Sequence, residues 1–420
     1  MQPLLSSAPT GRLPISQPNT SARETPATDH LASPQHLNSF DQLILNHQKL
    51  ILSVVEMVKC LKTCFKDNSA DHFEELVNEF QMTNAQEQPD HLKKVIYALE
   101  DYFPTSKIYR PDRKERWEAG DALKAIRNLS RADKKLLIET LRLCNVDEPA
   151  PLQIKPDSYV FVLGATVPEM QKRLNYFSCE FNKLPDANNL IPERLVGVVS
   201  SRPLNPEKDR LECERTSKQF KGCLTRLSEQ FPHLKNNEIT EAHGFMALVD
   251  TLCTLNYEHL LSNLPITVSY TGPLSYKPQI LQPNGQYMVQ RERKEQSSRP
   301  NTEATIKSAL TSLDLPEDAD LVLVSSQPHV AAQRIAGERV AAFLGLDLRI
   351  TACGSRKMLQ EDDSPSIYQA IDALRKSIQL LNPNYQIISN QISAPKTLTF
   401  YSHTVDEWEI QEKVPVNALV

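Results

Sequence analysis

The stretch LVLVSSQPHVAAQRIAGERVAAFLG (residues 321–345) opens with four apolar residues and reaches a polar joint holding Ser325, Ser326 and His329. It then continues as an Ala-rich periodic segment. A short apolar run that passes through polar groups into a helical repeat is the pattern of a parallel strand feeding its crossover helix. The joint is then the carboxyl end of the strand. In open α/β sheets that edge collects ligands, because the N–H groups and dipole of the following helix point towards it.

The same punctuation recurs outward from this stretch. YVFVLGA (159–165) is a β-rich apolar run that reaches Gly164, and a helix is predicted to begin near Pro168. ERLVGVVSSRP (193–203) is a second strand ending in Ser200, Ser201 and Arg202, and a charged segment leads from it to a helix opened by TEAHGFMALVDTL. PITVSY (265–270) is a third strand, RPNTEATIKSAL opens a helix with Asn301 or Thr302 at its cap, and DLRITAC (347–353) follows as a further strand. Alternation at this spacing predicts an α/β fold over 156–394, with a doubly wound parallel sheet of about five strands and right-handed crossovers. One edge of that sheet gathers Gly164, Ser200, Ser201, Arg202, Glu241, Asn301, Thr302, Glu303, Ser325, Ser326 and His329.

The rest of the chain reads differently. Residues 1–38 are rich in Pro, Ser, Thr, Asn and Gln and poor in large apolar side chains, so a disordered arm is expected. From Ser39 an apolar stripe runs through Leu43, Ile44, Leu50, Leu52, Val55 and Val58, which predicts a long helix. Further helical patterns over 70–81, 91–102 and 113–145 complete a helical domain over 39–148. His47, His72 and His91 stand at polar or boundary positions, where surface or capping roles are expected. The Pro-rich 145–158 segment is the expected linker, and the tail over 395–420 either adds an edge strand or dangles.

Composition removes several function classes. A 420-residue chain with 40% hydrophobic residues and a net charge of −5 has a real core and no excess of basic residues, which argues against a nucleic-acid partner. Its eight cysteines form no CxxC pair and read as reduced structural thiols; Cys60 and Cys64, four apart, read as small buried side chains, so no metal site is expected. No charged start precedes an apolar run at the N-terminus, and the most apolar helical run, 50–61, is interrupted by Glu56 and Lys59. A soluble, cytoplasmic protein with no membrane span is the expectation. With only 11 glycines and neither GxGxxG nor GxxxxGK[ST], the chain reads as neither a nicotinamide-dependent enzyme nor a P-loop NTPase. SSQPH also lacks the glycines of a GxSxG nucleophile elbow.

The order of these motifs resembles the ElyC/SanA/YdcF family, a Rossmann-like domain of unknown function. VLGA with Arg173 on the next helix, VVSS at Ser200, TEA at 240–242, RPNTEAT at 299–305 and SSQPH at 325–329 follow the family order over about 157–381. The chain departs from the family where a Ser-Gly-Gly turn is replaced by Ser200-Ser201-Arg202. It departs again where the Glu after Asn-Thr falls on Ala304, with Glu303 one place early, and where the Arg after the His falls on Ala332. The resemblance implies a small anionic or nucleotide-like ligand, with S-adenosylmethionine as one candidate, in a family associated with cell-envelope polysaccharide metabolism.

Each of these residues also has a local structural role open to it. Glu241 would be stabilised by the helix dipole, Asn301, Thr302 and Glu303 form a capping group, and His329 or the serines can cap a helix or loop. Convergence at successive strand ends is what favours a site. Two functions follow from it. In the first, backbone N–H groups near Gly164 and Ser200 receive the negative part of a small ligand, Arg202 or Arg299 pairs with it, and Asn301 and Ser326 add polar contacts. His329 would then act as acid/base with Glu241 or Glu303 orienting it. In the second, the α/β part is a catalytically inactive scaffold whose helical half and arm bind a protein partner.

Overall fold

The computed structural model describes residues 39–67, 73–84, 87–106, 120–185, 187–200, 240–254, 264–271, 280–281, 287–288, 302–313, 315–385 and 396–400. The arm over 1–38 lies outside them, as does the tail beyond 400.

The apolar stripe that starts at Ser39 forms two helices, α1 (Ser39–Asn46) and α2 (Gln48–Phe65), because the backbone leaves helical geometry at His47 (φ −106°, ψ 11°). Helices α3 (Phe73–Met82) and α4 (Gln88–Thr105) follow. The last helical pattern is divided into α5 (Gly120–Arg127) and α6 (Arg131–Leu143). Ser130 makes that division, since its hydroxyl accepts the Asp133 N–H and caps α6 locally.

Beyond the helices, β1 (Tyr159–Leu163), β2 (Arg194–Ser200) and β3 (Ile266–Thr271) enter one sheet. Two-residue strands β4 (Ile280–Leu281) and β5 (Tyr287–Met288) pair separately. Strands β6 (Asp320–Ser326), β7 (Arg349–Ser355) and β8 (Lys396–Phe400) complete the main sheet, whose order is β7-β6-β1-β2-β3-β8. The first five in that order are parallel, and β8 runs antiparallel along β3. Of the two fates open to the tail, the start of it takes the edge strand.

The crossover helices are α7 (Val167–Phe181), α8 (Glu241–Thr254), α9 (Thr302–Ser312) and α10 (Val330–Leu344), and α11 (Ser364–Leu381) follows the last parallel strand. They cover both faces of the sheet, so the strands are apolar on both sides and read as unbroken runs. On one face Val160, Val162, Leu195, Val199 and Val268 pack against Phe177 of α7 and Phe245 of α8. On the other, Phe161, Leu163, Val196, Val198, Leu321 and Leu323 pack against Ile306, Ile335 and Ile367 from α9, α10 and α11.

That second core continues without a break into Ile51, Leu61, Leu92, Leu99 and Leu137 of the N-terminal helices. Helices α4, α5 and α6 pack on α11, and α1 packs on α10. The helical segment is therefore an added layer on one face of the α/β sandwich, and the described residues from Ser39 on belong to one compact unit. The 145–158 segment, expected as a linker, is itself held down, with Ala150 bridging to Gly354 beside β7. His47, expected at a surface or cap, is buried where α1 meets α10, with Nε2 2.5 Å from the Glu338 carboxylate. The Glu338 carboxyl would be pushed up by burial, but the hydrogen bond and charge of His47 hold it below its usual range.

One glycine shows how tightly the first face is packed. A Cβ at Gly197 in β2 would lie 2.4 Å from the Phe245 ring. Gly197→Ala is expected to destabilise the chain by about 1–3 kcal/mol through overpacking, and Phe245→Leu on top of it to recover part of the loss. Urea unfolding of the two variants checks this.

Candidate functional site

The sheet order reverses between β1 and β6, because the chain builds outward from β1 through β2 to β3 and returns to lay β6 on the other side of β1. The crevice outside the carboxyl ends of those two strands is the topological switch point, where doubly wound sheets place ligands. Residues 164–166 leave β1 there, and residues 327–329 leave β6 beside them. Thr166 and His329 hold the N-cap positions of α7 and α10, and neither side chain caps its helix.

Three of the expected site residues meet at one end of this crevice. Glu241, only 4% exposed at the start of α8, accepts hydrogen bonds at Oε2 from the Ser200 N–H at 3.0 Å and the Ser200 hydroxyl at 2.5 Å. Gly164 donates its N–H to the Val198 carbonyl at 2.7 Å, and a Cβ on it would stand 2.9 Å from Glu241 Oε2 and 3.1 Å from Val199 Cα. The bare Gly164 backbone, read from the sequence as an approach for a ligand, is on that side occupied by the Glu241 carboxylate. Nor is Glu241 the simple helix cap its position suggests. The Thr240 N–H, just before α8, donates to His243 Nδ1 at 3.0 Å, leaving the acid to reach across to β2.

At the other end, Arg173 of α7 brackets the two strand exits. Its guanidinium is 3% exposed and donates from Nη1 to the carbonyls of Leu163 at 2.5 Å and Gly164 at 3.1 Å, and from Nη2 to Ser326 Oγ at 3.4 Å. Ser326 in turn donates to Glu169 Oε2 at 3.3 Å. Burial would raise the Glu169 carboxyl, but the hydrogen bond and charge of Lys172, together with Arg173 and Lys357, hold it below its usual value. The loop leaving β6 has a second anchor, since Gln327 Nε2 donates to the carbonyls of Asn145 at 3.1 Å and Glu148 at 2.7 Å.

Other expected residues stand elsewhere. Glu303, 1% exposed in the first turn of α9, pairs with Arg339 of α10 and Lys376 of α11, each at 3.9 Å. Burial pushes its carboxyl up against the pull of those two cations. The two acids expected as alternative partners of His329 thus occupy different surroundings, with Glu241 in the Gly164 group and Glu303 in an ion cluster between helices. His329 is half-buried; its N–H donates to the Ser326 carbonyl at 2.9 Å and its carbonyl accepts from Gln333 at 3.0 Å. Ser325 is fully buried and Thr302 begins α9. Ser201, Arg202, Arg299 and Asn301 lie outside the described residues.

Glu169 and Gln327 were not singled out in the sequence. The available signal was the Glu169–Arg173 spacing, an i,i+4 pair of opposite charge on the two turns that follow β1. The arrangement offers two carboxylates, a buried guanidinium and two helix N-termini around one crevice, which suits a small polar molecule. Among the described residues no group of three His, Cys, Asp or Glu is placed to share a metal ion, and no helix is long and apolar enough to cross a membrane. No family model, curated protein or solved structure matches the chain.

Proposed function

We propose that the chain is a cytoplasmic, YdcF-like protein that binds a small anionic or nucleotide-like ligand at the β1–β6 switch point. S-adenosylmethionine is one candidate. The observation that carries this reading is the convergence of Gly164, Ser200 and Glu241 from three separate segments beside the Arg173–Ser326–Glu169 bracket. The negative part of the ligand would meet the starts of α7 and α10, where N–H groups and the helix dipole favour an anion. Arg202 and Arg299 are the candidate cations. If the ligand is also a substrate, His329 at the start of α10 is the acid/base, with Glu241 at the same sheet edge as the candidate orienting group.

A scaffold without catalysis is the second reading, favoured by two exposed leucines on α6. Leu136 is 43% and Leu143 70% exposed, and at i,i+7 they share a helix face. A thermal-shift screen of the whole chain against nucleotides, S-adenosylmethionine, sugar phosphates and polyprenyl phosphates separates the two. A ligand at about a hundred times its dissociation constant stabilises the native state by about 2.7 kcal/mol. The ligand reading expects such a shift in the parent chain and its loss in folded Glu241→Gln and His329→Ala variants. Absence of a shift with every ligand class overturns it and leaves the scaffold.

A further inference from the structure

Two thiols that the site does not use lie together in the helical layer. Cys60 and Cys64, on successive turns near the end of α2, have their Sγ atoms 3.9 Å apart, each residue 8% or less exposed. Residues four apart on a helix are separated by about 6 Å along the axis, inside the range of about 4.4–6.8 Å that a disulfide tolerates between Cα atoms. Their Cβ atoms, about 5–6 Å apart at this helical spacing, must come within about 4.5 Å for the bond to form, so closing it also requires the last turn of α2 to shift. The helix ends one residue later at Phe65, where Lys66 in the left-handed region (φ 51°) and Asp67 cap it by donating to the Thr63 and Lys62 carbonyls, so the shift is confined to this terminal turn.

The surroundings differentiate the two thiols. The hydrogen bond from Cys64 lowers the Cys60 thiol to about 7 against the opposing effect of burial, while the same bond pushes Cys64 up. Cys64 also contacts the Asp133 carbonyl at 3.6 Å. Cys144 makes a built-in comparison. Its thiol contacts the carbonyls of Ser53 at 3.4 Å and Thr140 at 3.6 Å, and burial raises it to about 12. Cys353 is likewise raised to about 12 by burial.

We propose that Cys60 and Cys64 are a reversible dithiol–disulfide pair, with Cys60 the thiol that meets a peroxide and Cys64 the one that resolves it. The Cys60 thiolate attacks one peroxide oxygen, the O–O bond breaks, and Cys60 becomes a sulfenic acid as hydroxide leaves and is protonated to water. The Cys64 sulfur then attacks the Cys60 sulfur, the S–O bond breaks, and the departing hydroxide takes the Cys64 proton as a second water. Two thiols lose two electrons in total and one peroxide becomes two waters. The product lacks both S–H donors, so oxidation removes the hydrogen bond to the Asp133 carbonyl at the first turn of α6.

The sequence supplies a clean readout, because cleavage after Lys59, Lys62 and Lys66 puts Cys60 in CLK and Cys64 in TCFK. The reduced full-length chain is exposed to hydrogen peroxide, alkylated, digested with trypsin and analysed by mass spectrometry. The expected result is a joined CLK–TCFK pair that dithiothreitol reverses, forming at least tenfold faster than Cys144 or Cys353 is lost. Cys64→Ser should instead accumulate a Cys60 sulfenic acid that dimedone traps, and Cys64→Ala repeats that test should the serine perturb folding. Cys60 and Cys64 remaining reduced at peroxide levels that oxidise the exposed Cys179 would overturn the proposal. So would a joined pair that appears only after the chain is denatured, or over-oxidation of Cys60 without the link.

Discussion

Arg339→Leu is expected to lower the stability of the chain by about 3–5 kcal/mol, the range for removing one partner from a buried charged network. Arg339 donates through Nη1 to the carbonyls of Leu380 and Asn382 and through Nη2 to that of Tyr385, closing the C-terminal end of α11. Its guanidinium lies between two rings, 5.4 Å from Phe40 of α1 and 5.3 Å from Tyr385. Leucine replaces the aliphatic stem but supplies none of these donors, and it takes from buried Glu303 one of its two cations, leaving Lys376 at 3.9 Å. Lysine is not an adequate replacement either, because a single ammonium cannot reproduce the planar fork or the double stacking. Guanidinium unfolding should show the midpoint falling with little change in slope. Adding Glu303→Gln to Arg339→Leu should recover part of the loss, since the second change removes the acid whose charge the first one exposed to burial.

The next largest effect is expected at the switch point. Glu241→Ala removes the acceptor of two hydrogen bonds from Ser200, and bonds to a charged group are worth about 1.5–3 kcal/mol each, so a loss of about 3 kcal/mol is expected. Gly164→Ala alone should cost about 1–3 kcal/mol by forcing a Cβ towards Glu241 Oε2. The two losses should not add. Once Glu241 is alanine, the closest obstacle to a Cβ at position 164 is gone, and the contacts left are to the Val199 and Val198 backbone at 3.1 and 3.2 Å. A double-mutant cycle by urea unfolding checks this. A coupling energy near zero would mean that Gly164 is needed by the backbone alone and that Glu241 is packed independently of it.

The fold was readable because doubly covered strands are apolar on both faces and stand out as short unbroken runs between helical repeats. All five parallel strands fall within about two residues of their expected positions, and strand ends are inherently imprecise at that level. The helical layer was harder. An apolar stripe through Val54, Val58 and Leu61 says that a helix face is covered but not by what, so nothing local indicated that the cover is α/β core. The buried His47–Glu338 contact joins residues 291 apart, and its His looked like a boundary position in isolation.

The site shows the same division between what is local and what is not. That Gly164, Ser200, Glu241 and Ser326 share a sheet edge follows from strand order alone. That Glu241 turns to Ser200, and Glu303 to Arg339 and Lys376, depends on partners 41, 36 and 73 positions away, so a capping role described each acid as well from the sequence. Arg173 stood out only through the family resemblance, and the carbonyls it binds carry no side-chain signature at all.

The amide of Gln327 reaches the Asn145 and Glu148 carbonyls, so the loop that leaves β6 towards His329 leans on the last residues of the helical layer. A gene that exchanged the helices for another module at position 150 would bare the apolar flank of α11 and strip that loop of its support. In evolutionary terms the helices and the sheet are heritable only as a pair. Substitutions along 145–148 should then track changes in the candidate site more closely than their distance from the Gly164–Glu241 end suggests.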